Sequence, residues 1–211
     1  MRNATGSGGG LAMRIRVLRL AFALVALAPA HAFAAALGPE ALVRAVTAQV
    51  LEAIRSDPDL QAGDRKKMLA LAEEKVLPHV DFQEATRLAV GRAWASATPV
   101  ERAQLVAEFR AMLVRVYSAA IERYRGQTME VLPVRVPADA TEAVVRNRYL
   151  RPGAPPVPVE YAMRKTPDGW KIYDVRVEGV SLVLAWRAEF EAIAREAGIE
   201  GLIRRLREKN R

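Results

Sequence analysis

The chain has 211 residues, of which 51% are hydrophobic, with 32 basic and 24 acidic residues and no cysteine. This length is enough for one ordinary domain with its own hydrophobic core. The absence of cysteine excludes a disulfide framework, thiol catalysis, cysteine-based metal sites and a lipoprotein anchor. Residues 1–36 contain four arginines and no acid, so the rest of the chain carries 28 basic against 24 acidic residues, a net charge of +4. That small excess is no nucleic-acid-binding signature.

The N-terminal residues have the pattern of a secretory signal peptide. Three arginines precede an apolar run at residues 20–28, and small residues offer A-x-A-like cleavage sites at residues 30–34. The apolar run is too short to span a bilayer, which distinguishes it from a membrane anchor. We expect residues 1–36 to be a cleaved leader and the mature protein to be exported. Met13 is the better start, which would make residues 1–12 a mis-assigned extension.

Helical periodicity dominates the first half of the mature chain. Asp81 and Glu84 have the spacing of a capping box. Thr98 and Glu101 have the same spacing, and Pro99 suits the first helical position. Apolar residues at helical spacing predict four helices, at about residues 39–55, 64–77, 82–94 and 99–124.

After Gly126 the periodicity changes to that of strands. Alternating apolar and polar residues and turn signals predict four strands, at about residues 129–136, 142–151, 157–165 and 170–178. The short links between them favour an antiparallel meander. Ser181 is the predicted N-cap of a helix that ends at Gly198, before a short basic helix. The predicted architecture is therefore α+β: residues 37–211 form one domain, with a four-stranded antiparallel sheet between N-terminal and C-terminal helices.

Few residues have the pattern of a catalytic site. His79 is the one histidine outside the leader, so we do not expect a histidine-based metal site or a Ser-His-Asp triad. We expect His79 to have a capping or packing role. Asp174 lies among apolar strand residues, where a carboxylate needs a partner. It is either a general base in an apolar pocket or a structural group, paired with an arginine or anchoring a loop. No glycine-rich phosphate loop, G-x-S-x-G or H-E-x-x-H motif is present.

The segment 170–182, WKIYDVRVEGVSL, followed by Arg187-x-x-Phe190, resembles the toluene-tolerance family, the periplasmic phospholipid carriers of the Mla lipid-transport system. Further matching positions are Asp81-Phe82, Gly91-x-x-Trp94, Phe109, Tyr117, Tyr124, Gly198, Leu202-Ile203, Leu206 and Lys209-Asn210. The chain departs from the family at Ala185-Trp186, where the family usually has Asn-Tyr.

The resemblance implies that phospholipid acyl chains bind in an apolar cavity between the sheet and the helices, with the head group outside. Without it, an apolar stripe would more often be plain core. The expected lining residues are Trp94, Phe109, Leu113, Tyr117, Ile121, Tyr149, Tyr161, Met163, Val175, Val177, Leu182 and Trp186. Of these, Tyr149, Tyr161 and Met163 rest on strand alternation alone.

The resemblance also implies a function and partners. The expected protein is a periplasmic carrier without enzymatic activity or cofactor, which shuttles phospholipid and so maintains outer-membrane lipid asymmetry. Its implied partners are an outer-membrane lipoprotein–porin complex and an inner-membrane ABC transporter complex with a substrate-binding hexamer. Basic residues that would contact partners or lipid phosphate are Arg204, Arg205, Arg207 and Lys209. Two alternatives remain at this point: a small pocket enzyme using Asp174, and an adaptor protein with a solid core.

Overall fold

The computed structural model describes residues 37–122, 128–151 and 153–211, with the backbone alone at residues 118–122. The predicted signal peptide and Tyr124 lie outside the described residues. The helices are α1 (Pro39–Ser56), α2 (Pro58–Ala62), α3 (Arg65–Lys75), α4 (Phe82–Val90), α5 (Pro99–Glu122) and α6 (Arg187–Lys209). Three 3₁₀ turns cover Leu77–His79, Gly91–Ser96 and Leu184–Trp186. The strands are β1 (Thr128–Val131), β2 (Glu142–Leu150), β3 (Val157–Thr166), β4 (Gly169–Val177) and β5 (Val180–Ser181).

The sheet is an antiparallel meander in the order β1-β2-β3-β4-β5, so the predicted α+β class and meander are confirmed. The predicted number of four strands is wrong, because a short fifth strand follows β4. Val177 pairs with Val180 across a two-residue turn. Both turn residues, Glu178 and Gly179, have positive φ angles, of 51° and 84°. That conformation matches the twist of a tight hairpin.

The two predicted capping boxes have different outcomes. At Thr98 the box is complete: its N–H donates to Glu101 Oε2 at 2.7 Å, and the Glu101 N–H donates to Thr98 Oγ1 at 3.3 Å. At Asp81 only half of the box forms, since the Glu84 N–H donates to Asp81 Oδ1 at 2.9 Å. The return bond is replaced because the Asp81 N–H donates to the Ile172 carbonyl of β4 at 2.8 Å.

Glycines and a cap move several predicted helix ends. The third predicted helix stops at Val90, because Gly91 has φ +65°. Trp94 therefore lies in a 3₁₀ turn, outside the helix in which it was predicted. A Cβ atom at Gly91 would also collide with Glu191 Oε1. The predicted loop after α1 instead contains the short helix α2, whose first N–H groups donate to the Asp57 carboxylate.

The C-terminal helix also differs from its prediction. Ser181 belongs to β5, and its Oγ accepts the Leu184 N–H at 2.8 Å, so it caps a 3₁₀ turn that precedes α6. The backbone of α6 breaks at Gly198, which has φ 68° and ψ −175°, and the helix then continues to Lys209. The predicted break at Gly198 is therefore present, with helical residues on both sides.

Buried apolar residues form separate clusters. The helical core is built by α4, α5, α6 and the turns beside them, and its largest members are Trp94, Leu105, Phe109, Met112, Phe190, Leu202 and Leu206. The sheet core lies between α1 and the sheet and contains Leu42, Val43, Val131, Val145, Met163 and Trp170. A smaller cluster joins α1, α2 and α3 through Ile54, Leu60, Met68 and Leu71. Helices and sheet thus each have an apolar core of their own.

Candidate functional site

One face of the sheet carries an apolar surface that extends beyond the sheet core. In an antiparallel pair, directly opposed residues share a face. Met129 pairs with Tyr149, which pairs with Val157; in the neighbouring rows Val159 pairs with Val177, and Tyr161 pairs with Val175. We define the core-face strip as the half-buried residues Met129, Tyr149, Val157, Val159, Val175 and Val177.

The core-face strip lies outside the packed clusters of the described residues. Valines on a sheet are usually buried against a helix or a second sheet. Those of the strip are only partly covered, although their neighbours Val145 and Met163 on the same face are fully buried. The strip is therefore the part of the sheet best suited to take up further apolar material.

The twelve residues predicted to line a site are divided among these regions. Trp94, Phe109, Leu113 and Trp186 belong to the helical core or pack against it. Met163 and Tyr161 belong to the sheet core or pack against it. Tyr149, Val175 and Val177 are part of the core-face strip. The side chain of Ile121 lies outside the described residues. The structure does not bring all of them to one cavity wall.

The remaining two predicted residues, Tyr117 and Leu182, contact each other. The Tyr117 hydroxyl donates a hydrogen bond to the Leu182 carbonyl at 3.0 Å, between residues 65 positions apart in sequence. The Leu182 N–H in turn donates to the Val175 carbonyl of β4 at 2.8 Å. These two bonds connect α5 to the sheet at the end of β4, next to the core-face strip.

Asn147 is a buried polar residue on the same face, and the sequence analysis missed it. It pairs with Val131 and Val159 and is 2% exposed. Its Nδ2 donates to the carbonyl oxygens of Val145 at 3.1 Å and Val159 at 3.3 Å. The signal was available: strand alternation places residue 147 on the inward face together with Val145 and Tyr149.

Two hydroxyl groups point to the sulfur of Met129. Tyr161 Oη lies 3.7 Å and Thr47 Oγ1 3.8 Å from Met129 Sδ. A thioether is a weak acceptor. Burial of the Tyr161 hydroxyl raises its pKa to about 12, so it is a neutral donor at physiological pH.

Asp174 has the structural partners that a buried carboxylate requires. It is 2% exposed and pairs with Ala162, on the face opposite the core-face strip. The Ser181 hydroxyl and the Val183 N–H donate to its Oδ1 at 2.8 and 3.4 Å. Arg176 Nε lies 3.4 Å from Oδ2. Of the two interpretations of Asp174, the structural one matches this geometry, because both oxygens are engaged.

His79 lies in the turn Leu77–His79 beside β4 and is partly buried. Burial, and then the nearby Lys171 ammonium, lower the pKa of its imidazole. Within the described ranges, no three His, Asp or Glu side chains form a group able to hold a metal ion. None of the described helices has the length and apolar character needed to cross a bilayer.

Two openings in the described surface lie away from the predicted lining. One, of about 340 Å³, separates α3 from α5 and is lined by Arg65, Leu69, Glu73, Arg110, Ala111, Val114 and Arg115. The other, of about 290 Å³, is lined by Leu37, Gly38, Pro39, Val136, Pro137, Ala138, Lys165 and Trp170. Neither contains any of the twelve residues, so their role in lining a site stays a prediction.

The basic residues near the C-terminus form ion pairs within the chain. Arg207 contacts Glu108 at 3.1 Å, and Lys209 contacts Glu189 at 2.7 Å. Arg205 contacts Glu208 at 3.3 Å, while Arg204 is exposed. Exposed ion pairs are weak, so these side chains can exchange their partners at little cost in free energy.

Comparisons with known proteins give the family. The family model described as MlaC protein matches residues 44–208. The intermembrane phospholipid transport system binding protein MlaC of Haemophilus influenzae is 20% identical over 192 residues, which cover 90% of each chain. A structure of the phospholipid-binding protein from Ralstonia solanacearum, in complex with a phospholipid, is 35% identical, with a TM-score of 0.72 over 81% of this chain and 96% of that one. The chain belongs to the MlaC family.

Proposed function

We propose that this protein is a periplasmic phospholipid carrier. It holds acyl chains in an apolar site next to the core-face strip and leaves the head group in water. It shuttles lipid between an outer-membrane lipoprotein–porin complex and an inner-membrane ABC transporter complex with a substrate-binding hexamer, and so maintains outer-membrane lipid asymmetry. The observation that carries the proposal is the similarity to the Ralstonia protein, whose structure contains a phospholipid.

The physical chemistry of the cargo explains why such a site is needed. Two acyl chains contain roughly 30 methylene groups, and at about 0.8 kcal/mol each their exposure to water costs on the order of 20 kcal/mol or more. Free diffusion of a phospholipid across an aqueous compartment is therefore negligible. A protein site about as apolar as a bilayer makes transfer nearly neutral, so that lipid is taken up and released without covalent chemistry. The transporter complex would supply the energy from ATP.

The core-face strip supports this proposal by its position. Its valines and Tyr149 lie on the same face of the sheet as Val145 and Met163 of the sheet core, belong to neither packed core, and are only half-buried. A lipid that covers them would remove additional apolar surface from water without disturbing either core. Each 100 Å² of apolar surface buried in this way contributes about 2.5 kcal/mol.

Native mass spectrometry of protein purified from the periplasm, with solvent extraction of its cargo, tests the proposal. We expect one phospholipid per chain in the wild type and almost none in Val177→Lys, because a charge on the core-face strip would oppose acyl-chain burial. Val144→Lys is the matched control, since Val144 is a half-buried strand valine on the opposite face, beside Arg146. It should keep its lipid. A ligand-free mass for the wild type under gentle conditions would contradict the proposal.

A further inference from the structure

The buried Asn147 carries an acceptor that the protein does not use. Its amide nitrogen bonds two backbone carbonyls, which fixes the orientation of the amide and directs Oδ1 away from them. Among the described residues, Oδ1 has no hydrogen-bond donor, although it is fully buried. Leaving a buried amide oxygen without a donor destabilises a fold. A hydrophobic residue of the same size would avoid this cost. The amide oxygen is therefore suited to a ligand that donates a hydrogen bond.

Two donors with a poor acceptor lie beside it. Tyr161 pairs with Val145, the residue two positions before Asn147, so Tyr161 and Asn147 are diagonal neighbours on one face. The Tyr161 hydroxyl reaches Met129 on β1, and this contact crosses β2 at the level of Asn147. Thr47 of α1 donates to the same sulfur. Two hydroxyl donors therefore share one weak acceptor, Met129 Sδ, on the sheet face that also carries the unused acceptor of Asn147.

We propose that Asn147, Tyr161 and Thr47 form a subsite for one hydroxyl group of the bound lipid. A hydroxyl donates one hydrogen bond and accepts two, which matches one acceptor and two donors. An ester carbonyl only accepts and would leave Asn147 Oδ1 unsatisfied, and a methylene group would satisfy none of the three. Met129 Sδ contacts both hydroxyls in the structure, and the unbranched, flexible side chain of Met129 is able to move aside.

The subsite deepens the proposed function and rests on it. A lipid brings a hydroxyl into an acyl-chain site in two ways: on a hydroxylated acyl chain, or on the glycerol of a lysophospholipid. Both present the same chemistry to Asn147. A site that hydrogen-bonds a hydroxyl discriminates against the analogue that lacks it, because the polar groups of the site are then left unpaired.

Competition for the delipidated full chain, read by native mass spectrometry, tests the proposal with two matched lipid pairs. The first pair is a diacyl phospholipid with and without a hydroxyl on one acyl chain. The second is a lysophospholipid and its analogue without the glycerol hydroxyl. We expect the wild type to favour the hydroxyl-bearing member of one pair by roughly tenfold. The pair that shows the preference identifies the source of the hydroxyl.

Variants assign this preference to the subsite. Asn147→Leu and, independently, Tyr161→Phe should bring the binding ratio of the two members of that pair close to one. The member without the hydroxyl should still bind. Tyr173→Phe is the matched control, since Tyr173 is a half-buried strand tyrosine whose hydroxyl lies among the charged groups of Glu142 and Arg176, outside the core-face strip and the subsite, and it should keep the preference. Equal binding of both members in both pairs, or a preference that survives in Tyr161→Phe, would overturn the subsite while leaving the carrier function intact. A wild type that binds none of the four lipids would overturn both proposals.

Discussion

At the scale of single residues, Asp174 shows how a buried charge stabilises a chain reversal. Its carboxylate accepts from the Ser181 hydroxyl and from the Val183 backbone, two residues that follow the turn between β4 and β5. Arg176, two positions along the same strand, balances the charge. The side chain thus fixes the path of the chain from the sheet towards the helical core, where Val183 is buried.

We therefore predict that Asp174→Ala lowers the free energy of unfolding by about 2–3 kcal/mol, because it leaves buried donors unpaired. Urea denaturation measures this change. Asp168→Ala is the control: Asp168 is exposed in a turn and contacts Lys171 at 3.6 Å, so its loss should change stability by less than about 0.5 kcal/mol. The lipid content per folded chain should be the same in Asp174→Ala as in the wild type. A lipid-free but fully stable Asp174→Ala would contradict this structural role.

The roles of Asp174 and Asn147 differ in how well they can be predicted from the neighbouring sequence. A carboxylate among strand valines must have a partner, so an arginine pair or a loop anchor was predictable for Asp174. The inward position of Asn147 was equally readable from alternation. Its unused oxygen was not, because that depends on which backbone carbonyls of β2 and β3 the amide nitrogen reaches. Which carbonyls the amide reaches depends on how β2 and β3 are aligned with each other. The sequence of one strand alone does not determine that alignment.

At the scale of elements, local sequence patterns predicted the order of the helices and strands well. Thr98, Pro99 and Glu101 form the predicted start of α5, because capping uses residues within one turn of each other. Errors occurred where a contact is either long-range or confined to a few residues. The Asp81 N–H bonds a strand carbonyl, and β5 consists of two residues whose pairing depends on a tight turn. Neither contact leaves a periodic pattern in the sequence.

The Thr98 cap gives an element-scale prediction. Thr98→Ala should destabilise the protein by about 1 kcal/mol, since the Glu101 N–H in the first turn of α5 loses its side-chain acceptor. Thr98→Ser keeps the oxygen and should cost only a few tenths of that amount. Thermal unfolding followed by circular dichroism compares the two variants. Equal losses for alanine and serine would show that the threonine methyl group, and not the cap, stabilises the helix.

At the scale of the whole molecule, the separation of the cores determines what a lipid in the proposed site would contribute to the fold. Phe109 and Phe190 contact each other edge to face inside the helical core, with their ring centroids 5.3 Å apart. Val145 and Met163 are fully buried in the sheet core. Neither arrangement uses the core-face strip, so both cores are complete without cargo.

We predict that delipidated protein keeps its fold but unfolds at a lower temperature. A ligand that binds only the native state stabilises it by RT ln(1 + [L]/Kd), about 2.7 kcal/mol when the ligand concentration is 100 times Kd. Circular dichroism should show unchanged secondary structure after detergent extraction, and added phospholipid should restore the melting temperature. Collapse of the secondary structure on extraction would mean that the lipid is part of the core.

The position of the core-face strip also has an evolutionary consequence. Substitutions in a packed core cost stability whenever side-chain volume changes, so cores evolve slowly and in compensated steps. Val157, Val159, Val175 and Val177 are free of that constraint, because they complete neither core. Exchanging them for larger or smaller apolar residues alters the room left for cargo while the scaffold still folds. Under the proposed carrier function, descendants of one ancestral sequence would thus be able to diverge in their lipid preference one mutation at a time.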